Sequence, residues 1–215
     1  MSAIPPGIFK AYDIRGLYPD EITEDGARAI GRAYVAYLNA QRIAVSRDMR
    51  TSSPALAAAF IEGARAQGAT VVDYGMCATD MLYFGVARDR LDGGAQITAS
   101  HNPGRYNGIK MVRKDALPLS GDAGIGEIRD MATSGRIPEP TRPPGGLETS
   151  SILDAYVERV LGFVDTSAIK PFNVVLDAGS GMAGLVAPKL FARLPCRTTK
   201  LCFEIDGTFP NHEAN

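Results

Sequence analysis

Apolar positions along the chain change period repeatedly, and each change marks a predicted element. Residues 23–39 keep a helical period, with Thr23 as a candidate N-cap. The run Arg42-Ile43-Ala44-Val45-Ser46 predicts a strand that leads into Arg47-Asp48. Ser53-Pro54 then opens a second helix with proline in its first turn, ending near Gly68. A strand over 69–74, a helix over 79–88 and a strand over 94–98 follow. Residues 106–112 predict a strand that pairs with 94–98, because Pro103-Gly104 and Asn107-Gly108 are turn signals between the two. A helix near 121–133 closes this half.

Strands and helices alternating at these lengths predict an α/β fold, a mixed, mostly parallel sheet flanked by helices. Residues 136–150 interrupt the pattern. Pro138, Pro140, Pro143 and Pro144 beside Gly145 and Gly146 cannot sustain a helix or a central strand. We therefore expect a first domain over 1–140, a linker over 141–150 and a second α/β unit of the same kind over 151–215. That unit reads as a helix (151–161), a strand (173–176), a glycine turn, a helix (182–194) and a strand (199–205). Two such βα units cannot cover both faces of a sheet, so the second domain is expected to be incomplete.

Composition narrows the classes of function. Hydrophobic residues make up 45% of the 215 and charged residues 22%, the balance of a folded globular protein. With 23 basic and 24 acidic side chains the net charge is -1, which gives no reason to expect nucleic acid or an anionic membrane as a partner. Anions would have to be handled by a local arrangement. Cys77, Cys196 and Cys202 form no Cys-x-x-Cys pair, and their odd count argues against a disulfide framework. The start, Met1-Ser2-Ala3-Ile4-Pro5-Pro6, lacks the basic and apolar regions of a secretory signal, and no run of about 18 apolar residues is present. A cytoplasmic location is the expectation.

Candidate chemistry concentrates at Thr98-Ala99-Ser100-His101-Asn102-Pro103. Ser100 falls where a buried strand ends and a turn begins, and ligand sites of open α/β sheets lie at such strand ends. His101 and Asn102 follow at once, and Lys110 and Arg113 come after the return turn. A held hydroxyl with a cation and oriented amides nearby suits a phosphoryl acceptor. By chemistry alone the segment reads more readily as a polar turn, since Ser, Asn and Pro favour turns anyway. Lone histidines and lysines are more often surface residues. For Asp48 and Arg50, an ion pair or turn support at a strand end is at least as good a reading as substrate contact.

The string from Ile97 to Pro103, followed by Tyr106-Asn107-Gly108-Ile109-Lys110, resembles the phosphoserine loop of the α-D-phosphohexomutase family, in its bacterial phosphomannomutase/phosphoglucomutase branch. Phe9-Lys10-Ala11-Tyr12-Asp13-Ile14-Arg15-Gly16 resembles that family's amino-terminal active-site segment. Ser46-Arg47-Asp48-Met49-Arg50-Thr51-Ser52-Ser53-Pro54 resembles its strand-to-helix junction, with Ser46 where a glycine is usual. The glycine turn Val175–Gly184 and the segment Asp206–His212 resemble its second domain, so the likeness covers nearly the whole chain.

The resemblance implies an isomerase working by phosphoryl transfer. Phospho-Ser100 would give its phosphoryl group to a mannose or glucose phosphate and take one back from the resulting 1,6-bisphosphate, exchanging the 1-phosphate and 6-phosphate isomers. Lys110 would hold phosphate charge and assist proton transfer, and Arg15 would orient oxygens. His101 would help shape the loop, and Tyr12 and Asn102 would support substrate binding. Mg²⁺ would sit on the Ser100 phosphate, with its other ligands absent from this chain, and glucose or mannose 1,6-bisphosphate would serve as activator. The family's sugar-reading and distal phosphate loops lie in third and fourth domains that this sequence does not contain. The chain is thus expected to be inactive alone, as a truncated fragment or a subunit that needs the carboxyl-terminal domains as partner.

A rival fingerprint is Gly179-x-Gly181-x-x-Gly184, followed 20 residues later by Glu204 at the end of a predicted strand. That spacing is the one used to seat the pyrophosphate and ribose of NAD. It leaves the Ser100 segment unexplained.

Overall fold

The computed structural model describes residues 4–121 and 123–213; the first three residues, Asp122 and the last two lie outside the description. The strands are β1 (Ile14–Leu17), β2 (Arg42–Arg47), β3 (Thr70–Met76), β4 (Gly93–Ile97), β5 (Tyr106–Arg113), β6 (Leu117–Pro118), β7 (Leu147–Thr149), β8 (Asn173–Asp177) and β9 (Arg197–Leu201). The α-helices are α1 (Glu24–Leu38), α2 (Ser53–Ala66), α3 (Thr79–Arg88), α4 (Ile125–Ser134), α5 (Leu153–Leu161) and α6 (Ala183–Phe191).

The main sheet runs in the order β1-β5-β4-β2-β3-β7, with β6 added beside β5. At its centre β4, β2 and β3 are parallel, while β5 is antiparallel to both β1 and β4. This is the expected mixed α/β sheet, and its central strands carry the expected signature of burial on both faces. All five residues of β4 are buried, as are Ile43, Ala44, Val45 and Ser46 of β2. Alternation then sorts side chains into two cores. Ile43, Val45, Val71, Ala95 and Ile97 face α1, α2 and α4. Ala44, Val72, Tyr74 and Val112 face α3, where Met81, Leu82 and Val86 meet them.

Local signals explain the helix ends. Thr23 Oγ1 accepts a hydrogen bond from Gly26 N at 3.1 Å, capping α1 as its sequence predicts. Asn39 ends α1 in the left-handed conformation, with φ 48°. The two helices touch through glycine: a Cβ on Gly63 would lie 2.0 Å from the carbonyl oxygen of Arg28, so only glycine lets α1 and α2 approach this closely.

Several elements differ from the sequence reading. β1, β6 and β7 were not anticipated; they are two to four residues long and too short to show a period. The proline-rich stretch supplies β7, which pairs parallel with β3 at the sheet edge. An edge strand tolerates such neighbours where a central strand does not. The helix expected near 121 begins at Ile125, after Gly124 at φ 108°. β9 stops at Leu201 rather than Ile205, because Cys202 takes φ 51° and the chain folds back, its carbonyl accepting from Ser180 N at 2.8 Å.

Beyond β7, α5 and α6 accompany a two-stranded parallel sheet, β8-β9. This unit leans on the first through α5: Ile152 enters the core beneath α3, and the rings of Phe84 and Tyr156 lie 5.8 Å apart, edge to face. Among the described residues no helix is long and apolar enough to cross a membrane.

Candidate active site

β4 delivers the chain to a loop, Thr98 to Arg105, before β5 returns it. Ser100, exposed in this loop, holds φ 57°, a left-handed backbone that costs a non-glycine residue about 1–2 kcal/mol. Such strain persists only where the surroundings enforce it. Here they do. Ser100 N donates to Thr98 Oγ1 at 3.0 Å, and the Ser100 carbonyl accepts from Arg50 Nη2 at 2.9 Å.

Arg50 is fully buried and fixes the whole loop. Nη2 also reaches the Asn102 carbonyl at 2.6 Å, while Nη1 donates to the carbonyls of Pro103 at 2.9 Å and Tyr106 at 3.0 Å. Nε pairs with Asp48 Oδ2 at 3.2 Å. Each of the five N–H bonds of the guanidinium thus has its own acceptor. Asp48 is equally committed: Oδ1 accepts from Arg50 N at 3.0 Å and Ser53 Oγ at 2.5 Å, and Oδ2 also accepts from Thr98 Oγ1 at 2.7 Å. Burial lowers the Arg50 pKa, Asp48 opposes that shift, and the guanidinium stays charged. The carboxyl-terminal segment adds a lid to this pair, with the Phe209 ring centroid 5.4 Å from Arg50 Cζ.

A second network flanks the loop. Asp13 Oδ2 pairs with Arg15 Nη2 at 2.6 Å and with Lys110 Nζ at 3.2 Å. Arg15 Nη1 donates to Asn102 Oδ1 at 2.6 Å, which ties these charges to the loop. Arg15 Nε is buried with no hydrogen-bond partner among the described residues. The register of β1 against β5, with Arg15 opposite Gly108, brings these residues together across the sheet.

Of the residues singled out from sequence, Ser100 and His101 are adjacent, with Oγ and Nδ1 3.4 Å apart. Arg15 and Asn102 are bonded. The Lys110 ammonium donates to Asp13 Oδ2. Tyr12 is 75% exposed, on a shallow depression shared with Lys10, Asp13, Arg15 and Lys110. Asp48 and Arg50 are the ion pair and turn support that their place at a strand end suggested. The sequence reading missed Asp13 and Thr98. Ser46 uses its hydroxyl, which a glycine would lack, to bond Gln96, whose amide in turn donates to the Cys77 carbonyl at 2.9 Å.

Ser100 also lines a cleft of about 290 Å³ between the two units, with Asp48, Gln96 and Thr98 on one wall and Gly179, Met182, Phe209 and His212 on the other. Among the described residues nothing beside Ser100 fits Mg²⁺. Every oxygen of Asp48 is engaged and Asp13 serves two cations, whereas Mg²⁺ asks for free carboxylate or phosphate oxygens in an octahedral shell.

The glycine turn is closed on itself. Gly179 N donates to Asp177 Oδ1 at 2.9 Å, Ser180 N to the Cys202 carbonyl and Gly181 N to the Ala178 carbonyl, each at 2.8 Å. A Cβ on Gly184 would lie 2.5 Å from the Phe203 carbonyl oxygen, so that glycine serves packing. Glu204 lies beyond the end of β9. Three successive amides that a pyrophosphate cradle would use are thus already engaged within the turn.

Two family models match in order along the chain: phosphoglucomutase/phosphomannomutase α/β/α domain I over residues 6–136 and α/β/α domain II over 154–215. The chain belongs to the phosphoglucomutase/phosphomannomutase family. It is 43% identical over 205 residues to a protein of Xanthomonas campestris described as a phosphohexose mutase, covering 94% of this chain and 45% of that one. A phosphomannomutase of Salmonella typhimurium is 40% identical over 209 residues, with 94% and 46% covered. The crystal structure of a family member from Burkholderia thailandensis superposes with a TM-score of 0.89 at 38% identity, over 98% of this chain and 47% of that one. The chain spans about half the length of the relatives it matches.

Proposed function

We propose that Ser100 carries a phosphoryl group in the exchange of hexose 1-phosphate and hexose 6-phosphate, with mannose or glucose as the sugar. The observation that supports this best is an exposed serine held at φ 57° by a buried arginine that grips its loop through four carbonyls. Phosphoryl transfer depends on positioning and on neutralising charge, and both are provided for here. In the forward half-reaction the bond between phosphorus and Ser100 Oγ breaks, and a bond forms to the free hydroxyl of the sugar phosphate. The hydroxyl proton passes to a base, for which His101, beside Ser100, and Lys110, on the flanking network, are the candidates. The bisphosphate then presents its other phosphate, and Ser100 Oγ takes that phosphoryl group back. Arg15 would orient the phosphate oxygens, with Asn102 holding Arg15 in place and Tyr12 at the rim.

Glucose or mannose 1,6-bisphosphate would prime Ser100. Mg²⁺ would be held on the Ser100 phosphate by carboxylates outside this chain. Activity would therefore need a partner polypeptide, or a continuation, equivalent to the rest of the relatives' length. A reducing cytoplasm would keep the three thiols free.

The test is intact mass after incubation with glucose 1,6-bisphosphate, on a chimera joining this chain to the remaining half of the Xanthomonas relative. One phosphate should add to the chimera and none to its Ser100→Ala variant. A chimera that takes no phosphate, or a variant that takes as much, would refute the role of Ser100.

A further inference from the structure

Three metal-binding side chains meet at one end of the β8-β9 pair, and the phosphoryl reading uses none of them. Asp177 is the last residue of β8, Cys202 follows β9, and His212 returns from the carboxyl-terminal segment. Their ligand atoms all lie within 4.8 Å of one another, and His212 Nε2 is 3.5 Å from Asp177 Oδ1. A tetrahedral ion with bonds of about 2.0–2.3 Å holds its ligand atoms about 3.3–3.7 Å apart. The His–Asp pair already has that spacing.

The surroundings orient these ligands. Nδ1 of His212 is 2.8 Å from the Glu213 carbonyl, an acceptor only, so Nδ1 carries a proton and Nε2 is the nitrogen that faces Asp177. Asp177 Oδ1 is steadied by the Gly179 amide at 2.9 Å. Glycine at 179 leaves room for the imidazole, since a Cβ there would sit 3.2 Å from His212 Cε1. Cys202 is held at φ 51°, a left-handed backbone in a non-glycine residue.

We propose that Asp177, Cys202 and His212 form a site for a zinc-class divalent ion, with three protein ligands and a fourth position open. Thiolate, imidazole and carboxylate together select zinc or cobalt over the oxygen-seeking magnesium and calcium. Binding releases the Cys202 thiol proton. His212 and Gly179 also line the Ser100 cleft, so the site borders that cleft. Occupancy would also pin the segment that carries Phe209 over Arg50. The site does not depend on the mutase reading.

Cobalt(II) titrated into the full 215-residue chain under reducing conditions tests it. We expect one equivalent to bind with a thiolate-to-cobalt charge-transfer absorption, and zinc to displace it. Cys202→Ser should abolish that absorption. Asp177→Asn and His212→Gln should each weaken zinc binding, measured against a chromophoric chelator, by at least about 10-fold. Cys196→Ser and Ser100→Ala should bind as the parent does. Absence of saturable binding to the parent chain overturns the proposal, as does an unchanged absorption in Cys202→Ser. Should Cys202→Ser fail to fold, parent-like zinc affinity in the folded His212→Gln variant, altered at an exposed side chain, is equally fatal.

Discussion

Both units of this chain follow the same alternation of strand and helix, yet they differ sharply in what they bury. In the first, Ile43, Ala44 and Val45 of β2 are completely enclosed, with helices on both faces of the sheet. In the second, Val175 of β8 is 66% exposed, Leu201 of β9 is 46% exposed, and no residue of α6 is fully buried. β8, with Val174, Val175 and Leu176, is as apolar as β2, yet it lacks the layers that cover β2. Pattern is enough to make an element, but burial needs neighbours, and two strands with two helices cannot enclose a core. The cleft at Ser100 therefore has one wall set in a deep core and another on a lightly packed unit. Opening free energies follow local burial, so the two walls should differ in stability.

The most direct way to break this contrast is to weaken the firm wall. Arg50→Ala removes the guanidinium donors from four carbonyls and the counter-charge from the buried Asp48 carboxylate, and it should cost about 3–5 kcal/mol in urea denaturation of the first unit. A loss below about 1 kcal/mol would mean that the loop holds its shape without the guanidinium. A matched pair of truncations sharpens the contrast. Ile43→Ala should destabilise by about 2–5 kcal/mol, whereas Val175→Ala should stay within about 0.5 kcal/mol. Equal losses would show that β8 is covered in solution.

The smallest effect concerns thiols. Burial pushes the Cys77 thiol up from 9.0 to about 12, with Asp73 and Asp80 adding to the rise. A raised folded pKa favours the fold below pH 9, and that contribution is lost as pH climbs from there toward about 12. Replacing Cys77 with Ala should flatten the decline in denaturation midpoint between pH 8 and pH 10. Iodoacetamide at pH 8 should modify Cys196 and Cys202 well before Cys77. Fast modification of Cys77 would contradict its burial.

Much of this arrangement could be read in advance. The helix over 79–88 has the bounds of α3, and Thr23 caps α1, because those signals are local. Ser100 stood out through its neighbours in sequence. Asp13 did not: its partner Lys110 lies 97 positions away and meets it only through the pairing of β1 with β5. Asp177, Cys202 and His212 were hidden for the same reason, since no spacing rule links a strand end, a turn and a returning tail. Arg50 and Asp48 fell between these cases. Two opposite charges directly after a buried strand must be paired, but the sequence did not reveal that the arginine would spend four of its N–H bonds on a loop fifty residues away.

That choice of partners has a consequence for how the loop can change. Within the loop Arg50 grips only main-chain oxygens, so it recognises the path of the loop and not the identity of its side chains. A group attached to or removed from Ser100 Oγ leaves every one of those contacts intact. The loop works as a socket whose shape is cast during folding and is indifferent to what it carries.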